Sequence, residues 1–266
     1  MSRAGNPPFN PPFGLPPVSL GTWQLRGRAA TRAVGQALAL GYRCVDTATG
    51  YDNERDVGAG IRTSGIERGD LLIVTKFPEE DAGRERETLL RSLDQLGVDH
   101  LDLWLVHGPL DPDGSLAVWE RFIEAREAGL VRAIGVSNFL PAEVDDLVAR
   151  SGVTPAVNQV AFGPRRLDPA LVRHHTALGI VVQGHSPFSE NDLRHPALRA
   201  AAGHHGRSVH QILLRWHVEH GVPVVAKAAS PAHLAANLRV HEFALTAAEV
   251  EAIDRAADDA WTGAAR

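Results

Sequence analysis

The sequence predicts a single-domain α/β barrel in which eight parallel strands alternate with helices, the (β/α)8 or TIM barrel. Short apolar runs alternate strictly with amphipathic stretches from Pro17 onward, without a composition change that would mark a linker. The eight units between Pro17 and Val240 average about 28 residues, which is the size of a minimal strand–helix repeat. A chain of 266 residues is also a usual length for one such barrel. An open, doubly wound sheet is the structural alternative.

The strand predictions rest on short apolar runs between polar turns. The runs at 71–74 and 180–182 are continuously apolar, which is typical of parallel strands covered on both faces. In chain order, the eight predicted strands are 18–22, 44–48, 71–76, 101–107, 133–138, 156–161, 180–186 and 222–228.

Helices are predicted between these strands because apolar residues recur there at helical spacing, as in Leu89, Leu93 and Leu96. Several helix starts carry side chains that can bond the free N–H groups of a first turn. These starts are Asp168 before Pro169, Ser230 before Pro231, Ser208 with Gln211, and Thr246 with Glu249. A last helix at 246–258 lies outside the eight units, so we expect it to pack on the barrel flank.

Composition excludes several classes of partner. The net charge of −5 gives no basic field for nucleic acid, and no apolar run is long enough to span a membrane. Residues 1–16 form an irregular, proline-rich leader without the apolar segment of a signal peptide, and 17–266 form the barrel with its extra C-terminal helix. Cys44 is the only cysteine, which fits a reducing cytoplasm. No long apolar surface stripe is evident, so we expect a monomer.

Common catalytic and metal motifs are missing. No GxGxxG follows the first strand, and the chain has no P-loop, HExxH or GxSxG. Five of the thirteen histidines cluster near the C-terminus without cysteines or carboxylates at ligand spacing, so we expect no metal site. The clustered histidines are His204, His205, His210, His217 and His220.

Polar side chains stand at the carboxyl ends of three neighbouring strands. Asp46 ends the second strand, Lys76 the third and His107 the fourth, and Tyr51 follows in the loop beyond Asp46. Functional residues of α/β barrels gather at this end, and strands about 4.8 Å apart would bring the four together. Each has an ordinary structural explanation, such as an ion pair, a capping aromatic or a core histidine. Four complementary groups at adjacent positions favour the functional interpretation.

Together these groups can deliver a proton to a carbonyl that accepts hydride. A neighbouring ammonium stabilises a phenolate, so Lys76 would make the Tyr51 hydroxyl a stronger acid. Asp46 would keep Lys76 charged and oriented. His107 could donate a hydrogen bond to the carbonyl oxygen and stabilise the charge that develops there.

Several segments resemble the signatures of the aldo-keto reductase family. They are GYRCVDTA at 41–48 with Tyr51 and NE at 53–54, TK at 75–76, LDLWLVH at 101–107, GVSNF at 135–139 and VNQV at 157–160. The match runs from about residue 20 to residue 254, and the chain is most similar to short bacterial reductases of the diketogluconate reductase type. The resemblance implies a (β/α)8 barrel that binds NADPH across its C-terminal face. It also implies a catalytic tetrad of Asp46, Tyr51, Lys76 and His107, with Tyr51 as the general acid.

The resemblance further implies which residues contact the cofactor and the carbonyl substrate. Ser137, Asn138 and Gln159 would hold the nicotinamide carboxamide, and 225–237 resembles the stretch that holds the adenosine phosphate. The expected cofactor-binding residues are Gly21, Thr22, Trp23, Ser137, Asn138, Gln159, His185, Ser186, Phe188, Lys227, Ala228, His233 and Asn237. The expected substrate-pocket residues are Trp23, Phe77 and Gly108.

Some of these positions depart from the family pattern. Ala228 replaces a serine, and His233 replaces an arginine that would grip phosphate with two hydrogen bonds, so NADH is possible beside NADPH. His185 replaces the usual stacking tyrosine or tryptophan. Gly108 replaces a tryptophan, which predicts a widened pocket for a bulky or unusual carbonyl compound.

Three other functions fit part of the pattern. The first is a cofactor-binding regulatory protein on the same fold, against which the intact tetrad argues. The second is a Schiff-base aldolase that uses Lys76, although pairing with Asp46 would make this amine a weaker nucleophile. The third is reduction of a C=N bond, which the sequence does not separate from carbonyl reduction.

Overall fold

The computed structural model describes residues 14–189 and 191–255, and its eight parallel strands close into a barrel. Each strand pairs with the next along the chain, and the first pairs with the last. The closed (β/α)8 barrel is therefore confirmed, and the open sheet is excluded. The strands are β1 (Val18–Gly21), β2 (Cys44–Asp46), β3 (Leu72–Phe77), β4 (Leu101–Val106), β5 (Val131–Ser137), β6 (Val157–Ala161), β7 (Val181–His185) and β8 (Val224–Lys227).

All eight predicted strands are present, and their ends differ from the predictions by at most two residues. The register places Gly21 of β1 between Asp46 of β2 and Lys227 of β8. Ser137 of β5 lies beside Gln159 of β6. Polar residues that are far apart in the chain therefore meet at one end of the barrel.

Helices surround the barrel and connect its strands. In the described ranges they are α1 (Gly27–Leu40), α2 (Glu54–Ser64), α3 (Glu85–Leu96), α4 (Pro112–Glu127), α5 (Pro141–Ser151), α6 (Pro169–Ala177), α7 (Pro196–His205), α8 (Val209–Glu219), α9 (Pro231–Leu238) and α10 (Ala247–Asp254). The four predicted capping residues accept hydrogen bonds from first-turn N–H groups. The connection from β7 to β8 holds two helices, of which α7 was not predicted. Its N-cap is His195, which is not a residue type that signals a helix start.

The last helix, α10, packs against α7, as expected of a helix on the barrel flank. Residues 256–258 of the predicted helix lie outside the described residues. The Glu249 carboxylate is 2.7 Å from His204 Nδ1 and 3.0 Å from His205 Nε2, so the expectation of no carboxylate near these histidines is wrong. These three side chains could hold a metal ion. The carboxylate already accepts hydrogen bonds from Thr246, however, so it also serves to dock and cap α10.

The amino-terminal end of the barrel is closed by a residue of the predicted leader. Leu15 is 1% exposed and packs among apolar residues at the starts of several strands, including Cys44 and Val181. Leu15 therefore contributes to the apolar core, whereas 1–13 lie outside the described residues. A larger apolar layer joins the strands to the helices, with the rings of Trp104 and Phe122 stacked 3.6 Å apart.

Among the helices at 14–189 and 191–255, none combines the length and the apolar character that crossing a membrane requires.

Candidate active site

A cavity of about 950 Å³ opens at the carboxyl ends of the strands, where the sequence places the functional residues. Three members of the predicted tetrad line it, namely Asp46, Tyr51 and His107. The predicted cofactor residues that line it are Gly21, Thr22, Trp23, Ser137, Asn138, Gln159, His185, Ser186, Phe188 and Lys227. The remaining lining residues, which were not predicted, are Gln24, Gly50, Pro78, Glu79, Glu80, Pro187, Ser189 and Val225.

The fourth member of the tetrad, Lys76, lies in the barrel interior and is paired with Asp46. Its Nζ donates hydrogen bonds to Asp46 Oδ1 at 2.5 Å and to the Thr47 carbonyl oxygen at 2.9 Å. Burial favours the neutral amine, but the negative charge of Asp46 and the hydrogen bonds with Asp46 and Tyr51 outweigh it, and the pKa of Lys76 is raised. The side chain is therefore an ammonium at neutral pH.

Tyr51 stands beside this ammonium at the end of a short 3₁₀ turn, Thr49–Tyr51, that follows β2. The Lys76 Nζ lies 5.3 Å from the centroid of the Tyr51 ring. The ring also meets the imidazole of His107 edge to face, with centroids 5.9 Å apart. The phenol, the ammonium and the imidazole thus share one corner of the cavity.

His107 presents a neutral imidazole. Burial lowers its pKa to about 4, with further contributions from the charge of Lys76 and from His185. Its position is fixed through the backbone, because its N–H bonds the Phe77 carbonyl oxygen and its own carbonyl accepts from Asn138 Nδ2. A neutral imidazole has one N–H to donate, so His107 can bond an acceptor such as a carbonyl oxygen.

The loop that carries Tyr51 is held by the two residues that follow it in the motif. Asn53 Nδ2 donates to the carbonyl oxygens of Thr22 and Leu25, both at 2.9 Å. Glu54 accepts from Thr75 Oγ1 at 2.6 Å on one oxygen and from a serine of α3 on the other. Both side chains are buried, which explains why this segment keeps a fixed path beside β3.

A cluster of amide and hydroxyl groups lies next to the tetrad. Ser137 Oγ donates to the Gln159 carbonyl oxygen at 2.7 Å, and Asn138 Nδ2 donates to Ser137 Oγ at 3.1 Å. Asn138 has a φ of 62°, a left-handed conformation that asparagine tolerates better than most residues. The buried Nε2 of Gln183 has no hydrogen-bond partner among the described residues. These donors and acceptors fit a carboxamide such as that of nicotinamide.

His185 closes this cluster on the side of β7. Its Nε2 lies 2.9 Å from Asn138 Oδ1 and its Nδ1 lies 3.0 Å from Ser186 Oγ. Burial lowers the pKa of His185 to about 4, so this imidazole is also neutral at pH 7. The histidine is thereby anchored to the amide cluster at the position where the family pattern has a stacking aromatic.

A cationic side chain stands at the rim near β1. Lys227 Nζ donates to Gln24 Oε1 at 2.7 Å and lies 5.6 Å from the Trp23 ring. Ala228, His233 and Asn237 do not line the cavity formed by the described residues. His233 is exposed on the first turn of α9, whereas Asn237 is buried and its Nδ2 lacks a partner within 14–189 and 191–255.

The residues predicted for the substrate pocket are placed differently. Trp23 lines the cavity and is 51% exposed. Phe77 is fully buried, with its ring edge to face against Trp104 and Phe122, so it is a core residue rather than a pocket residue. Successive side chains of a strand point to opposite faces, and Lys76 already points into the barrel.

Gly108 leaves less open space than we expected from a glycine at the position where the family pattern has a tryptophan. A Cβ at this position would lie 2.0 Å from Glu79 Oε1, so the Glu79 side chain occupies the room beside the glycine. Glu79 and Glu80 both line the cavity. Acidic residues after a strand ordinarily lie in solvent. The one signal in the sequence that Glu79 and Glu80 line the cavity is their position directly beyond the strand that carries Lys76.

Known proteins share both this sequence and this fold. Residues 17–258 match the Aldo/keto reductase family. The chain is 41% identical to 2,5-diketo-D-gluconic acid reductase B of Corynebacterium sp. (strain SHS752001), covering 91% of this chain and 88% of that protein. It is 34% identical to methylglyoxal reductase DkgA of Escherichia coli (strain K12), covering 87% of this chain and 86% of that protein.

Solved structures agree with these relatives. The aldo/keto reductase from Brucella melitensis superposes with a TM-score of 0.87 at 38% identity, covering 91% of this chain and 94% of that chain. The aldo-keto reductase of Bombyx mori, solved in complex with NADP, gives 0.83 at 34% identity, covering 91% of this chain and 89% of that chain. The resemblance seen in the motifs thus extends over nine-tenths of the sequence. This chain belongs to the aldo/keto reductase family of oxidoreductases.

Proposed function

We propose that this protein uses NADPH to reduce the carbonyl group of an aldehyde or ketone to an alcohol, as a monomeric enzyme of the cytoplasm. The observation that carries the proposal is the buried Lys76–Asp46 pair beside Tyr51 and a neutral His107. This corner of the cavity combines an acid with a hydrogen-bond donor. When bound, the reduced nicotinamide would supply the hydride.

Residues of the amide cluster and of the rim would hold the cofactor. Ser137, Asn138 and Gln159 would bond the carboxamide next to the tetrad, in exchange for some of the hydrogen bonds that they make with one another. Lys227 and His233 would face the adenosine phosphate, together with Asn237. Because a neutral histidine binds phosphate less firmly than arginine, NADH is an expected second cofactor.

Tyr51 would donate its proton to the carbonyl oxygen of the substrate. Lys76 stabilises the phenolate that remains, and Asp46 keeps Lys76 protonated through the bond at 2.5 Å. His107 donates its N–H to the same carbonyl oxygen and orients it. In the reverse direction, the Tyr51 phenolate would accept the proton of an alcohol.

The same geometry argues against the aldolase. A Schiff base needs a neutral amine, whereas the Lys76 side chain is 1% exposed, paired with Asp46 and raised in pKa. A purely regulatory role would not require a proton donor, an ammonium and an imidazole in one corner. Protonation of an imine nitrogen would use the same groups, so reduction of C=N bonds is tested alongside carbonyl reduction.

The cavity volume supports a substrate of some size. About 950 Å³ is near the upper end of small-molecule pockets, although the cofactor would take part of it. Glu79 fills space beside Gly108, but its side chain can move more easily than a tryptophan. We therefore expect bulky carbonyl compounds to be accepted.

The test is a titration of tryptophan fluorescence with NADPH and with NADH, followed by the decay of NADPH absorbance on adding aldehydes, ketones and imines. Trp23 lines the cavity, so we expect its fluorescence to change when a nucleotide binds. We expect oxidation that depends on the substrate, and Tyr51→Phe should bind NADPH normally but lose turnover by at least about a hundredfold. Failure of both nucleotides to bind would overturn the proposal, as would borohydride trapping of Lys76 on a carbonyl compound.

A further inference from the structure

Two carboxylates line the cavity beyond the tetrad, on the short turn Glu79–Asp81 that follows β3. The third acid of this turn, Asp81, accepts a hydrogen bond from Thr88 at 2.8 Å, and its charge is paired with Arg91 at 2.9 Å and with Arg84. Glu79 differs, because no donor within 14–189 and 191–255 bonds or pairs with its carboxylate. It is also half-buried, whereas Glu80 is exposed. A negative charge therefore faces the cavity without a counter-charge.

The position of this carboxylate depends on the glycine beside it. A Cβ at Gly108 would lie 2.0 Å from Glu79 Oε1 and 3.2 Å from Glu79 Cδ. Any larger residue at 108 would displace the carboxylate from this place. Gly108 directly follows His107 in the chain, and His107 lines the same cavity as Glu79.

Among the described residues that line the cavity, the other charged side chains do not offset Glu79. Asp46 is already paired with Lys76 inside the barrel, and His107 and His185 are neutral at pH 7. Lys227 also lines the cavity, but it ends β8 and bonds Gln24. Strands β1 and β2 lie between it and the strand that precedes Glu79. The cavity is thus cationic at the expected cofactor rim, where Lys227 stands, and anionic beside Gly108, where Glu79 lies.

We propose that Glu79 selects carbonyl substrates that carry a cationic group, such as a protonated amine or a quaternary ammonium, and disfavours substrates that carry a carboxylate. The inference rests on the proposed function, because it names the substrate class of the same site. A half-buried carboxylate stabilises a bound substrate whose cationic group lies beside it, because a charge-assisted pair is stronger where water is partly excluded. A substrate carboxylate at the same place is repelled. Gly108 provides the room that the carboxylate needs.

The test compares three aldehydes of similar shape, namely 4-(trimethylammonio)benzaldehyde, 4-nitrobenzaldehyde and 4-carboxybenzaldehyde, with NADPH as the reductant. Glu79→Gln removes the charge and keeps the shape. Taking the variant-to-wild-type ratio of kcat/KM for each aldehyde cancels differences in intrinsic reactivity. We expect Glu79→Gln to lower kcat/KM about tenfold for the cation, to raise it severalfold for the anion, and to change it least for the neutral compound.

Two further variants separate the charge of Glu79 from general effects. Glu120→Gln removes the same charge from an exposed position on α4 and should change none of the three ratios. Gly108→Ala should displace the Glu79 carboxylate and shift the ratios in the same direction as Glu79→Gln. The cation preference of the wild type should also weaken as salt is raised, because mobile ions screen a partly exposed pair.

The inference would be overturned if Glu79→Gln changed kcat/KM equally for all three aldehydes. It would also be overturned if the wild type preferred the carboxylate aldehyde and this preference did not grow in Glu79→Gln. If no aldehyde supports NADPH oxidation, the proposed function fails instead. Fluorescence titration with benzyltrimethylammonium and with benzoate then tests the charge preference without turnover. Tighter binding of the ammonium, lost in Glu79→Gln, supports the inference, and equal or absent binding of the two contradicts it.

Discussion

Gln159 Nε2 lies 2.7 Å from Asp46 Oδ2, although the two residues are 113 positions apart in the chain. Asp46 therefore receives Lys76 on one carboxylate oxygen and Gln159 on the other. Gln159 also donates to Gln183 Oε1 at 2.8 Å. The amide cluster expected to hold the nicotinamide and the tetrad expected to move the proton are thus joined in one hydrogen-bonded network.

Gln159→Leu should consequently weaken both cofactor binding and proton transfer. The substitution leaves Asp46 Oδ2 and Gln183 Oε1 without their donor, and each lost buried hydrogen bond costs about 1–3 kcal/mol. We expect NADPH affinity and kcat each to fall about tenfold, as measured by fluorescence titration and by steady-state kinetics. Gln36→Leu, at an exposed position of α1, is the matched control. A change in affinity alone would show that the link to Asp46 has no part in proton transfer.

The choice between NADPH and NADH should depend on His233. This residue is exposed on the first turn of α9, where an arginine could bond a phosphate with two N–H groups. We expect His233→Arg to tighten NADPH binding about tenfold and to leave NADH binding unchanged. His241→Arg adds the same group at another exposed site and should affect neither nucleotide. Equal tightening of both nucleotides would place residue 233 away from the phosphate.

The parts of this molecule that could be predicted are those that local sequence determines. Strand positions follow from apolar runs between turns, and the end of a strand in a barrel fixes where its last side chain stands. Asp46 and His107 could therefore be assigned to one corner before the fold was seen. The same rule explains the misplacement of Phe77, since the residue after an inward-facing Lys76 must face the helices.

Other features depend on contacts between distant segments, and no local pattern reports them. Glu79 enters the cavity because Gly108, 29 positions later, leaves room for it. Leu15 becomes part of the core only because apolar residues of several distant strands surround its side chain at the end of the barrel. Helix α7 begins at a histidine cap that resembles ordinary loop sequence. Such long-range complementarity appears only in the folded structure.

Leu15 gives a prediction about stability rather than catalysis. Its side chain is 1% exposed among apolar residues at the starts of the strands. We expect Leu15→Ala to lower the free energy of unfolding by about 2–4 kcal/mol, because it removes buried methyl groups and leaves a cavity. Leu90→Ala on α3, where the leucine is 43% exposed, should cost far less. Urea unfolding of the two variants measures the difference, and equal losses would mean that residue 15 does not close the barrel.

His217 should make the fold sensitive to acid. The imidazole is fully buried in α8, with Nδ1 2.7 Å from the Leu213 carbonyl oxygen and Nε2 3.1 Å from that of Phe162. Burial lowers its pKa from 6.5 to about 4. Because the folded pKa lies below the unfolded one, the unfolded state takes up the proton first. The contribution of the neutral His217 to the free energy of unfolding is therefore complete above about pH 6.5, and it is lost as the pH falls towards 4.

A pKa shift of this size corresponds to a loss of about 3 kcal/mol in the free energy of unfolding once the pH is below both pKa values. We expect the free energy of unfolding, measured in urea at pH 7 and at pH 4.5, to fall less in His217→Leu than in the wild type. His220→Leu is the comparison, because this neighbour is partly exposed and pairs with Asp254. The substitution at 217 also removes the hydrogen bond that the neutral imidazole donates at both pH values, so the informative quantity is the difference between the two pH values within each variant. An equal acid loss in wild type and His217→Leu would show that His217 takes up its proton without opening the fold.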